Sequence, residues 1–224
     1  LEKTNADMVC ADHCCVDHET GQKKEEKTNV APCMDVPFSS VCNQLTVAMH
    51  NVTYRTDILQ KNNIHLDNCF YTDAEYLLYP IPYVKTVTVA PQTIYMYRVS
   101  LSTQSMNINS LQRNCAMHEL VLGHLSDAYA AYENSGTSEP KTAAFLRRNI
   151  ARIAGMQLFI YLTATDSKAA KQSAKAMVKT IKGKSETLYT ELNGAKSFKM
   201  LTSTNFLLFP VLASMKKREV GANG

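Results

Sequence analysis

Over the C-terminal half of the chain, apolar residues recur at threes and fours, the interval that lines one face of an α-helix. Leu111, Cys115, His118, Leu122, Leu125, Tyr129 and Tyr132 form one such stripe, which opens at Asn109 or Ser110 and closes at Asn134-Ser135-Gly136, with Gly136 as a left-handed terminator. Ser138 and Pro140 open the next helix, where Leu146, Ile150, Ile153 and Ile160 keep the rhythm. Its end, Met156–Leu162, is apolar almost all round, which marks this helix as the central one. Asp166 or Ser167 caps a further helix with Ala170, Ala174, Met177 and Ile181 inward, weakened at Gly183, resuming through Leu188 to Leu192 and ending at Gly194. A last helix runs near Ser203–Arg218, with Pro210 imposing a kink or a late start.

The first half is less regular. Asp35 can cap a helix with Pro37 in its first turn, and Phe38, Val41, Cys42, Leu45, Ala48, Val52 and Leu59 make an apolar stripe that ends near Lys61-Asn62-Asn63. From Tyr79 the period changes, because Pro80 and Pro82 forbid a continuing helix. Two alternating runs around Ala90-Pro91-Gln92-Thr93 then predict a β-hairpin over residues 83–101. The expected fold is mainly α with this hairpin: an antiparallel bundle of four to five helices over 35–218, preceded by a disulfide-rich arm over 1–34 and followed by a tail over 219–224.

Composition refines the picture. With 224 residues, 45% apolar and 20% charged, the chain can bury a sizeable core. Its longest apolar runs, Gly155–Leu162 and Phe206–Ala213, fall far short of the ~20 residues of a spanning helix. Cys10, Cys14, Cys15, Cys33, Cys42 and Cys69 crowd the first third and Cys115 stands apart, which reads as a disulfide framework in an oxidising compartment. Seven is odd, so one thiol stays free or links two chains into a disulfide-bonded dimer. The sequon Asn51-Val52-Thr53 makes Asn51 a glycosylation candidate. Together with a start at Leu1, which implies a removed signal peptide, these features predict a secreted protein or one on a virion or cell surface.

Candidate chemistry is sparse. Cys10, His13, Cys14, Cys15, His18 and Cys33 offer zinc-ligand types, but adjacent Cys14-Cys15 suits disulfides better than one tetrahedral site. Cys115 and His118 share a helical face and can form a nucleophilic pair, although both sit in the apolar stripe. His118 and His124 are six apart, the wrong spacing for a zinc-protease helix. Gly183-Lys184-Ser185 ends like a phosphate loop, but Val178 stands where the first glycine belongs. No metal, cofactor or catalytic residue is therefore expected, and the chain is read as a non-enzyme.

The strongest functional feature is electrostatic. Lys168, Lys171, Lys175, Lys179 and Lys182 step by threes and fours with no acidic residue between Ser167 and Ser185, a local excess larger than the net charge of +4. Such a stripe attracts an acidic partner surface, a sulfated glycan or anionic lipid headgroups, and Arg147, Arg148 and Arg152 can widen it. Nucleic acid is not expected, since few aromatics are interleaved. Tyr71, Tyr76, Tyr79, Tyr83, Tyr95 and Tyr97 concentrate before and within the hairpin, with Tyr95 and Tyr97 the candidate contacts.

A first helix, a long crossover with extended structure and several antiparallel helices in a secreted chain resemble the helical cytokines over roughly Asp35–Arg218, in architecture alone. The resemblance implies a ligand that works by binding a protein receptor. The rival readings are a structural component of a viral or cell-surface assembly, and a Cys/His-dependent enzyme or metal-binding protein.

Overall fold

The structure, a computed structural model, describes residues 4–101, 105 and 107–222. It divides into two compact units, one of residues 1–107 and 132–146, the other of residues 108–131 and 147–224. The architecture is mixed α/β rather than a helical bundle.

The first unit is built on a curled sheet of five strands: β1 (Met8–Asp17), β2 (Lys23–Glu26), β3 (Cys33–Pro37), β4 (Val52–Tyr54) and β5 (Thr86–Val99). The order is β2-β1-β5-β3, with β4 sharing the edge of β1 that β2 occupies further along. At its centre β1 and β5 run parallel, Met8 opposite Val87 and Asp17 opposite Val99. The described residues up to 34 are thus no stapled arm, since β1 lies in the middle of the sheet. Likewise residues 83–101 form no hairpin. Pro91 has no N–H to give a ladder, and the chain passes it in a bulge: Ala11 faces Ala90, Asp12 faces Thr93 and His13 faces Tyr95. A turn signal in the sequence is an irregularity within one long strand.

The expected helix from Asp35 is also replaced. Asp35 lies in β3 at φ +50°, and Pro37 ends that strand. Beyond it come only short helices, α1 (Phe38–Val41), α2 (Thr56–Lys61) and α3 (Asp73–Leu78). Their apolar residues close one core: Phe38 meets Phe145 edge to face at 5.2 Å, and Met8, Cys42, Ile81 and Val87 are fully buried.

No disulfide joins the seven cysteines. The sheet explains why. Cys14 and Cys15 are neighbours on β1 and point to opposite faces. Cys10 and Cys33 both lie opposite Val89, one on each side of β5, which separates their Cα atoms by about 9.6 Å, too far for a bridge. Burial, with Cys33 nearby, pushes the Cys10 thiol up to about 12.

Helices fill the second half: two of the expected ones are each broken in two, Lys196–Ser203 forms one that the spacing does not predict, and the last begins at Phe209 rather than near Ser203. The helices are α4 (Ile108–Arg113), α5 (Cys115–Glu133), α6 (Pro140–Thr163), α7 (Ser167–Lys184), α8 (Glu186–Asn193), α9 (Lys196–Ser203) and α10 (Phe209–Ala222). Gly136 takes φ +73° after α5. Pro210 falls in the first turn of α10, where its missing N–H costs nothing. The second unit packs Leu122, Leu125, Ile150, Leu158, Ala174, Ile181, Leu188 and Phe209 into an apolar core. Among the described residues, no helix is long and apolar enough to cross a membrane.

Candidate functional site

Alanine and lysine alternate along α7 with a helical interval, and that interval decides the orientation of the helix. At 100° per residue, Lys168, Lys171, Lys175, Lys179 and Lys182 fall within an arc of about 80°, over a rise of about 21 Å. Ala170, Ala174, Met177, Val178 and Ile181 occupy the opposite side and are buried. The Asp166 carboxylate caps the start by accepting from the N–H groups of Lys168 and Ala169, both at 3.0 Å. The Ser185 hydroxyl then accepts from Leu188 N–H at 3.1 Å and turns the chain into α8.

The lysine heads carry no opposing charge. Among the described residues none of the five forms an ion pair. Two of them are steadied by aromatic faces instead: Lys182 Nζ lies 4.7 Å from the Tyr189 ring centroid and Lys175 Nζ 5.9 Å from that of Phe206. Such contacts restrain the stems without cancelling the charge. Lys184, two positions past the stripe, is used differently, paired with Asp127 at 2.7 Å. Arg147 does not widen the face, because its guanidinium donates to the Tyr129 hydroxyl at 3.0 Å and faces Glu191 at 3.8 Å. Arg148 and Arg152 line a cleft of about 540 Å³ floored by Leu158, Phe159 and Phe198.

Cys115 and His118 come together, but not as base and nucleophile. Gln157 stands between them, its Nε2 donating to Cys115 Sγ at 3.3 Å and its Oε1 lying 2.7 Å from His118 Nδ1. Burial raises the Cys115 thiol above its ordinary range, against the opposing pull of the Gln157 N–H. A thiol held protonated in this way is a poor nucleophile.

In the first unit, Asn51 is 1% exposed and its Oδ1 accepts from Ala48 N–H at 2.7 Å. No glycan fits there without opening the turn. Tyr95 and Tyr97 do present surface, Tyr95 being 45% exposed, and they are stacked beneath His50 at 5.3 and 4.7 Å. His50 also meets His13 edge to face at 4.1 Å. The sequence isolates His13, Tyr95 and Tyr97 separately; nothing in it points to His50, which a turn before β4 places over the sheet. Cys14 and Cys33 bear on no such cluster, and Cys69 lies in the loop before α3 with its thiol raised, chiefly by burial. His18 follows β1, its N–H donating to Val99 O at 3.0 Å.

Compared with known proteins, the chain matches no family profile, no curated protein and no solved structure.

Proposed function

We propose that this protein works by binding a carboxylate-rich surface on a partner protein through the lysine face of α7. The observation that carries the reading is the five-lysine arc, unpaired by acids and backed by a fully apolar side. Like charges at i,i+4 destabilise an isolated helix, so Lys171-Lys175-Lys179 is an unfavourable arrangement for stability alone. A partner bearing acids at matching intervals relieves that repulsion on contact and is drawn in over a range that salt screens. The binding role first expected for a secreted ligand thus keeps its electrostatic support. The disulfides and the glycan that pointed to secretion lend it none.

The test uses poly-L-glutamate as a defined acidic surface and the full chain, with Lys171→Glu, Lys175→Glu and Lys179→Glu combined as the variant. Binding at low salt that the triple variant loses supports the reading. Equal binding by both proteins, or binding to heparin without binding to polyglutamate, contradicts it.

A further inference from the structure

The apolar run that closes α6 also lines open space. Leu158 and Leu162 are buried, and with the half-buried Phe159 of the same helix and Phe198 of α9 they floor the cleft of about 540 Å³ beside Arg148 and Arg152. That volume falls within the range of about 300–1,000 Å³ usual for small-molecule sites. The residues that line it all belong to the second unit.

Gly155 keeps the space clear. It sits inside α6, where glycine is a poorer helix former than alanine. A Cβ built on it meets no heavy atom within 4 Å, so close packing does not require a glycine here. A larger side chain would instead occupy the cleft that Gly155 lines.

The rim is cationic. Arg148, Arg152 and Lys216 line the cleft against a single acid, Glu191, which Arg147 already faces at 3.8 Å. Lys216 is held by Glu219 at 2.6 Å. Arg152 is exposed and forms no ion pair or side-chain hydrogen bond among the described residues. Its guanidinium fork is therefore available, and such a fork matches a carboxylate with two parallel N–H contacts.

We propose that this cleft binds a single-chain fatty acid, with Arg152 on the carboxylate and Leu158, Phe159 and Phe198 against the alkyl chain. The chain leaves water for an apolar floor, which supplies the driving force, and the cationic rim fixes which end stays outside. Glu191 on the same rim weighs against a doubly charged phosphate head.

The experiment titrates the full chain by calorimetry with dodecanoate below its micelle concentration, and in parallel with dodecyltrimethylammonium, which has the same chain and the opposite charge. The expected result is one saturable equivalent of dodecanoate, with the cationic amphiphile weaker by about tenfold or more. Arg152→Gln should weaken dodecanoate by about tenfold and spare the cationic amphiphile. Gly155→Leu should abolish binding by filling the cleft. Because Arg152 is exposed, Arg152→Gln keeps the test sound if Gly155→Leu fails to fold, as circular dichroism will report. Absence of saturable dodecanoate binding overturns the proposal, and so does equal affinity for the two head groups. Binding that survives both variants but is lost in the triple lysine reversal would move the ligand to α7 and overturn it likewise.

Discussion

The side-chain amide of Gln157, fully buried on α6, holds His118 of α5 through an Oε1–Nδ1 contact of 2.7 Å. Because an amide oxygen only accepts, His118 must carry its proton on Nδ1. The same amide donates to Cys115, so one residue satisfies two neighbours in an otherwise apolar bundle.

Removing that bridge takes one partner from each. Gln157→Leu is expected to lower unfolding stability by about 1–3 kcal/mol, read from urea denaturation, since the shape is nearly kept and the hydrogen bonds are lost. In the folded parent, Cys115 should alkylate at neutral pH more slowly than a free thiol and recover the ordinary rate in urea. Fast alkylation in the native state would restore Cys115 as a nucleophile.

Lys171→Glu should raise stability while weakening binding. The substitution removes a like charge beside Lys168 and Lys175 and places an acid four residues before Lys175 in the first turns of α7. A gain of about 0.5 kcal/mol at low salt follows from the pair and the helix dipole together. Opposite signs in the two measurements would mark the stripe as held for contact; a loss of stability would show that Lys171 is structural.

Acid should loosen the first unit before its carboxylates titrate. His13 is held below the ordinary imidazole range by burial, against the pull of Glu26 and Asp12, and His50 by burial and then by His13. Both groups bind fewer protons folded than unfolded. Their contribution is therefore complete above the unfolded value near pH 6.5 and is lost as pH falls below it toward the folded values. Asp12 and Asp35, held low by hydrogen bonds, keep their contribution until the pH falls below about 4. Urea midpoints should decline below about pH 6.5, and His50→Gln should flatten that decline.

Asn51 tests the turn before β4. Asn51→Ala leaves the Ala48 N–H without its acceptor and should cost about 1–2 kcal/mol. Expressed through a secretory pathway, the folded fraction should carry no glycan at this position by intact mass. A folded, glycosylated product would contradict the burial of Asn51.

Where structure is local, the sequence was readable. Asp166 capping α7, Gly136 closing α5 and Pro210 delaying α10 each follow from chemistry confined to one turn of chain. The lysine arc was visible for the same reason, because helical spacing alone sets its width. The sheet was not. β1 reads as a polar, cysteine-rich leader, and its partner β5 lies far along the chain, so the pairing that makes Met8 and Cys10 core residues leaves no periodic trace. The bulge at Pro91 shifts the alternation of β1, burying Cys10, Ala11, His13 and Cys14 in irregular order. Over 35–61, apolar residues at helical intervals belong instead to a strand end, short helices, turns and β4, and of the stripe only Phe38, Cys42, Leu45 and Val52 are buried. His50 was hidden because its neighbours are defined by the sheet, not by the residues beside it.

Binding through α7 is read out by following the affinity for polyglutamate through a series of salt concentrations. The expected result is a steep fall in affinity with rising ionic strength for the parent and a shallow one for the triple lysine reversal. Identical slopes for the two proteins would remove the lysine face from the account.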